Sequence, residues 1–253
     1  MQLFTETLGQ GKTIILVHGW AMHSGIWHDF AEQLAKNYQV ILLDLPGHGR
    51  SSKLEDFNLD NIREALIEAV PKQPCCWIGW SLGVKIVLDI CQYYPEQVES
   101  LVLLAGNPRF TGTENWPGVD ADFLQMFKHS FENNGEATLQ RFLLLQLQGT
   151  EQAKLLAKHL KMSISQYKIP DNSTLLAGLD VLRQADLRLA LASAQCPVSI
   201  ILGETDKLVP MEVGQAMQEI QSNCELNIIR KAGHLPFLSH QEEVIKVLRD
   251  FLA

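Results

Sequence analysis

The 253-residue chain has little of what marks several protein classes. It has no apolar run approaching the roughly twenty residues that cross a bilayer, so a membrane span or membrane partner is not expected. Its first residues, Met1-Gln2-Leu3-Phe4-Thr5-Glu6, lack a basic stretch followed by an apolar one, so no secretory leader is visible. It has no excess of positive charge. Lys and Arg number 21 against 29 Asp and Glu, a net charge of −8, which argues against nucleic acid as the main partner. Cysteine is sparse and odd in number: Cys75, Cys76, Cys91, Cys196 and Cys224 are scattered, mostly in apolar runs. That pattern excludes a disulfide framework and a zinc site, and points to reduced thiols in a cytoplasmic protein. Internal repeats and low-complexity stretches are missing as well.

What is present is an ordinary globular composition, 46% hydrophobic and 20% charged, enough for a sizeable core. The length suits one large α/β domain or two small ones. Leu3 to Thr7 reads as a leading strand. The continuous apolar run Thr13–Val17 reads as a strand covered on both faces, and Gln39–Leu43, the short apolar stretch ending at Ile78 and Val98–Leu104 read as further strands. Helical patterns separate them at Ile26–Leu34, Leu59–Val70 and from Ser81 to about Tyr94, with Pro71, Pro74 and Pro95 as stops. This alternation predicts a mostly parallel sheet with helices on both faces. In such sheets sites gather at the carboxyl ends of the strands.

The rhythm breaks after Gly106. From 107 to 185 no buried strand is evident, and Phe123, Met126, Phe127, Phe131, Leu139, Phe142, Leu143, Leu145 and Leu147 recur at helical spacing. Three or four helices are expected here, either as a cap inserted over the site or as a helical domain of its own. The predicted division is a core of residues 1–106 and 186–253 with the cap at 107–185. Alternation resumes with strands at Val198–Leu202 and Glu225–Ile229 and helices at Val213–Ile220 and Gln241–Leu252.

One stretch stands out chemically. Gly79-Trp80-Ser81-Leu82-Gly83 fits G-x-S-x-G between a buried strand and a helix. There a tight turn lifts a serine clear of the sheet, and small residues at minus two and plus two relieve crowding. The bland alternative is an ordinary strand-to-helix turn. A serine nucleophile needs a base, and the base needs a group that fixes its tautomer. Asp206 and His234 follow the next two strands in the required chain order. Glu204 is the nearby rival for the acid, and His23 and His48 for the base. His28, His129, His159 and His240 lie in or beside helical stretches and read as surface or packing residues. The Leu82 N–H, at a helix start, and the Trp20 N–H, after the early strand, are the expected oxyanion donors. The Trp20 and Trp80 side chains flank the serine in sequence logic and are expected either to wall an acyl pocket or simply to pack in the core.

With His18-Gly19-Trp20, Asp44 to Ser51, Gly79 to Gly83, Gly203 to Asp206 and Gly233-His234 in hand, the chain resembles an α/β-hydrolase over nearly its whole length. The resemblance implies the α/β-hydrolase fold. Ser81 argues against the branches whose nucleophile is Asp. Trp27, Trp77, Asn107-Pro108-Arg109-Phe110, Trp116-Pro117-Gly118, Arg141 to Gln146, Gly149-Thr150, Asp186-Leu187-Arg188 and Gly233 to Phe237 narrow it further. These resemble the pimeloyl-(acyl-carrier protein) methyl ester esterase family of biotin synthesis. That resemblance implies a serine carboxylesterase releasing methanol without metal or organic cofactor. It also implies substrate contacts at Trp20, Ser81, Leu82 and His234 and along Phe142, Leu143, Leu144, Leu145 and Gln146.

The implied partner, an acyl-carrier protein, is acidic, so a chain of net charge −8 needs a local basic patch to dock it. Lys154, Lys158 and Lys161 fall on one helix face, and Arg141 lies in the same insertion. The alternative is a merely solvated lysine face. A monomer is expected. The rival functions are a broad short-chain esterase or a C–C bond hydrolase with the same triad, and a non-catalytic scaffold that binds a ligand through its cap.

Overall fold

The computed structural model describes residues 2–150 and 153–253. Met1, Glu151, Gln152 and the side chain of His159 lie outside the described residues. The strands are β1 (Thr5–Leu8), β2 (Thr13–Val17), β3 (Gln39–Leu43), β4 (Cys75–Trp80), β5 (Val98–Leu104), β6 (Val198–Gly203) and β7 (Cys224–Ile229). They form one sheet in the order β1-β3-β2-β4-β5-β6-β7. Only β1 runs antiparallel to its neighbour; the other pairings are parallel. The carboxyl ends of β2, β4, β5, β6 and β7 therefore share one edge.

The helices of the first half are α1 (His28–Leu34), α2 (Leu59–Ala69) and α3 (Leu82–Tyr93). The expected helix from Ile26 instead begins as a 3-10 turn, Ser24–Trp27, capped by His23. Four helices follow β5: α4 (Ala121–Asn133), α5 (Gly135–Leu145), α6 (Ala153–Ser165) and α7 (Asn172–Gln184). The chain closes with α8 (Arg188–Ser193), α9 (Glu212–Ile220), α10 (Pro236–Ser239) and α11 (Gln241–Leu252). Short polar side chains start several of them. Asn58, Asp120, Asn134 and Asp171 accept hydrogen bonds from the first-turn N–H groups of α2, α4, α5 and α7.

All five β2 residues are buried, as a strand covered on both faces requires. Alternate side chains feed two cores. Ile15 and Val17 pack with α2, α3, α8 and α9, whereas Ile14 and Leu16 pack with α1 and α11.

The α4–α7 insertion leaves and re-enters the core at one neck. Arg109 pairs with Asp186 at 2.8 Å, and Leu187 N donates to Pro108 O at 2.9 Å. Lys85 of α3, one turn beyond Ser81, donates to Pro108 O at 3.1 Å and to Ala185 O at 2.8 Å. The two ends of the insertion are thus tied to each other and to the helix that follows the candidate nucleophile. Burial pushes the Lys85 amine down to about 7, with Asp186 pulling it up and Arg109 pushing it further down.

Candidate active site

Ser81 links β4 to α3 at φ 56° and ψ −115°. A non-glycine residue in such a conformation costs about 1–3 kcal/mol, so its surroundings must hold it. They leave no room for an alternative. A Cβ on Gly79 would lie 2.4 Å from Gly83 O, and one on Gly83 would lie 2.4 Å from Val17 O. Ser81 N donates to Leu104 O at 3.1 Å, and its side chain stays half-exposed between buried Trp80 and Leu82.

The loops after β6 and β7 bring Asp206 and His234 to the same point. His234 Nε2 lies 3.0 Å from Ser81 Oγ, and His234 Nδ1 lies 2.7 Å from Asp206 Oδ2. A carboxylate only accepts, so the Nδ1–H donates to it, and the Nε2 lone pair faces the serine hydroxyl. Asp206 Oδ1 accepts from Leu208 N at 2.8 Å and Val209 N at 3.1 Å, which fixes the carboxylate from behind. Glu204 is exposed and accepts instead from Lys231 N, so it is not the group beside His234.

His23 and His48 do not meet Ser81. They belong with His18 to a buried polar layer beneath the early loops. His18 Nδ1–H donates to Gly19 O, and its Nε2 accepts from Leu45 N, tying the loop after β2 to the loop after β3. Burial pushes His18 down to about 3 and His48 down to about 4, so both are neutral at pH 7. Asp44 accepts from Ser24 N at 2.7 Å and Arg50 N at 2.9 Å. Burial opposes its charge, yet the bonds from Ser24 and Arg50 hold its carboxyl below the usual carboxylate range.

The oxyanion candidates border the nucleophile. A Cβ on Gly19 would lie 3.1 Å from Ser81 Cβ, so Gly19-Trp20 presses directly on the serine. Leu82 is the first residue of α3, where an N–H has no partner within the helix. Among the described residues neither the Trp20 nor the Leu82 N–H is paired with a protein acceptor. The Trp20 ring rises into the insertion. Its Nε1–H donates to Leu175 O at 2.8 Å, and Phe127, Phe131 and Phe142 meet it edge-on at 4.9–5.9 Å. Gly178 of α7 leaves space for it; a Cβ there would lie 2.8 Å from the ring.

One expectation about side chains needs correction. Trp80 does not join Trp20 as a pocket wall. It lies in the other core against Trp27 and Phe237, and its Nε1–H donates to His234 O at 2.9 Å, so it props the His234 loop. The run Phe142 to Gln146 is divided between the interior and the surface. At 3.6 residues per turn, a run of five covers every side of a helix. Phe142 and Gln146 are buried, Leu143 and Leu145 half-buried, and Leu144 is 61% exposed. Gln146 is 2% exposed, neither of its side-chain polar atoms is paired among the described residues, and its backbone carbonyl lies beside Gly233, next to His234. Arg141, Lys154, Lys158 and Lys161 are all exposed. Between α5 and α6 runs a groove of about 520 Å³, lined by Leu139, Leu143, Leu160 and Ile164 and edged by Lys161. Among the described residues no group of three or more His, Cys, Asp or Glu could hold a metal ion.

A serine, an imidazole and a carboxyl group in relay, with two free N–H groups beside the serine, are equipped for acyl transfer. Comparison with known proteins meets this geometry. Residues 12–241 match the alpha/beta hydrolase fold family. Over its full length the chain is 41% identical to the pimeloyl-(acyl-carrier protein) methyl ester esterase of Methylococcus capsulatus, covering 99% of that protein. It is 35% identical to the enzyme of the same name from Yersinia pseudotuberculosis, over 99% of this chain and 97% of the relative. The chain belongs to this esterase family of the α/β hydrolases. Among solved structures, the bromoperoxidase of Bacillus anthracis superposes with a TM-score of 0.90 at 25% identity, over 99% of this chain and 95% of the other. The shared fold thus extends to proteins named for different chemistry, and the esterase family is distinguished by its closer sequence relatives.

Sequence reasoning missed the roles of Lys85, His23 and the Asp44–Arg50 pair. Lys85 had a signal, since it is the one charged residue inside the apolar run Gly83-Val84-Lys85-Ile86-Val87-Leu88. Arg50 stands only six residues after Asp44 in the same loop, whereas the contacts of His23 with Ser163 and of Asp44 with Ser24 join separate segments and left no local trace.

Proposed function

We propose that this protein is a serine carboxylesterase that removes the methyl ester from pimeloyl-acyl-carrier protein. The observation that carries the reading is the Ser81–His234–Asp206 relay beneath an apolar insertion, in a chain that belongs to the family of that name. Ser81 Oγ attacks the ester carbonyl carbon as its proton passes to His234 Nε2. The Trp20 and Leu82 N–H groups take the oxyanion, each donor worth roughly 3–4 kcal/mol by analogy with measured sites. The C–OCH3 bond breaks as Nε2–H gives its proton to the departing methoxide oxygen, releasing methanol. Water, deprotonated by the same imidazole, then hydrolyses the acyl-serine and leaves a free carboxylate.

Trp20, Ser81, Leu82, His234 and the run Phe142 to Gln146 are the proposed substrate contacts, with 107–185 acting as the cap. Arg141, Lys154, Lys158 and Lys161 are proposed to dock the acidic carrier. Charge distribution supports this. Residues 107–185 carry eight basic and eight acidic side chains, so the net −8 belongs to the core, while 137–170 carries five basic and one acidic. All five thiols are free, which supports the proposed cytoplasmic place of a protein proposed to act as a monomer. The test is hydrolysis of pimeloyl-carrier-protein methyl ester, followed by mass spectrometry beside a simple butyrate ester, with Ser81→Ala as control. Loss of the methyl group that salt slows supports the reading. Turnover of butyrate alone leaves a general esterase.

A further inference from the structure

The inner face of α6 rests on the loop that carries one oxyanion donor. Leu156, Leu160 and Ser163 are buried, one helical turn apart, while Lys154, Lys158 and Lys161 face outward. The inner face packs on the Ser24–Trp27 turn, and one polar contact joins them. His23, 5% exposed, places Nε2 at 2.7 Å from Ser163 O. Its Nδ1 accepts from Gly25 N at 3.1 Å, so the proton sits on Nε2 and is donated to the helix carbonyl. Ser163 O also takes Gln166 N at 3.1 Å, which makes it the closing carbonyl of α6. Tyr167 meets the imidazole edge-on at 4.9 Å. A Cβ on Gly25 would lie within 2.8 Å of both the His23 ring and the Gln166 side chain, so the junction has no slack. Three residues before His23 stands Trp20, held in the same loop by the Met22 N to Gly19 O turn.

We propose that His23 is a positioning residue that couples carrier docking on α6 to the placement of the Trp20 oxyanion donor. This rests on the reading of α6 as the docking helix. A carrier seated on the outer lysines fixes α6, α6 fixes the imidazole through Ser163 O, and the imidazole fixes the short loop behind Trp20. A small free ester reaches Ser81 without that brace and reacts at a less ordered oxyanion site.

The experiment compares wild type, His23→Leu, His23→Gln and Lys158→Glu on the carrier-linked methyl ester and on a butyrate ester, with Tm for each. His23→Leu is expected to lower kcat on the carrier-linked ester about tenfold, with a fall several times smaller on butyrate. His23→Gln, which keeps a donor near the Nε2 position, is expected to recover most of the loss. An equal fall on both esters with a lowered Tm, or no fall on either, would overturn the coupling. Lys158→Glu separates the two ideas. If it leaves KM for the carrier-linked ester unchanged, the docking reading fails and the coupling with it. If it raises that KM while His23→Leu keeps full kcat, only the coupling fails.

Discussion

The sheet edge and the insertion above it solve different problems with different materials. At the sheet edge, backbone and side chain are locked. Ser81, Asp206 and His234 are each held by hydrogen bonds, glycines stand where a Cβ would collide, and tryptophan brackets the loops. In the insertion, Met126, Leu144, Leu155 and Met162 are largely exposed, and a buried amide at Gln146 has no partner among the described residues. Reaction geometry tolerates little displacement, so the first region is over-determined. Choice among substrates needs surfaces that a ligand can complete, so the second keeps apolar and polar groups in reserve. Under the proposed function, the core cuts the ester and the insertion is the part proposed to select it.

The sharpest way to break that division is to remove the chemistry. Ser81→Ala or His234→Ala should lower kcat by roughly 10⁴–10⁶ on carrier-linked and simple esters alike, measured at saturating substrate. A loss confined to one substrate would mean that the division is wrong. Asp206→Asn should keep the fold, because Oδ1 can still accept from Leu208 and Val209 N–H. It should still lower kcat by about 10³–10⁴, since the amide favours the wrong imidazole tautomer.

Changes in the insertion should separate the substrates. Lys158→Glu with Lys161→Glu should raise KM for the carrier-linked ester about tenfold at low salt, with the gap closing as salt is added. Butyrate kinetics should stay unchanged, and a matching rise in KM for butyrate would place these lysines in the site rather than on a docking face.

The smallest expected effect lies at the neck between the regions. Burial lowers Lys85 from its ordinary 10.5 to about 7 in the folded protein. Between those values the unfolded chain holds a proton that the folded one has shed, so this group makes stability rise with pH from about 7 to about 10. Below about 7 both states are protonated and its contribution is level. Buried Cys76 and Cys224, both pushed up to about 12 by burial, act in the opposite direction. The clean measurement is therefore the Tm difference between wild type and Lys85→Met across that range, which should grow in favour of wild type. A constant difference would show that Lys85 does not titrate there.

The same contrast explains what the sequence could disclose. The strands ending at Trp80, Gly203 and Ile229 were legible in the sequence, and the loops behind them carry Ser81, Asp206 and His234. Each is local information, and the parallel sheet gathers such loops by rule. The insertion's helices were legible from their spacing, but not the direction of each side chain. Leu144 points outward because a helix turns through all sides within five residues. Trp80 faces the opposite core from Trp20 because β4 fixes its side while the loop after β2 fixes the other. The His23–Ser163 contact joins positions 140 residues apart and has no signature in either segment.

The neck has a consequence for engineering. Its two chain crossings, at Arg109 and Asp186, pair side by side as a short antiparallel bridge. A segment whose ends already touch can be exchanged for another without asking the sheet to rearrange. A chimera that keeps Lys85, Arg109 and Asp186 and receives the intervening stretch from a hydrolase with a different appetite would retain its footing on the nucleophile helix. The family's diversity could then be reached by transplanting one loop-closed block, rather than by rebuilding the reaction centre.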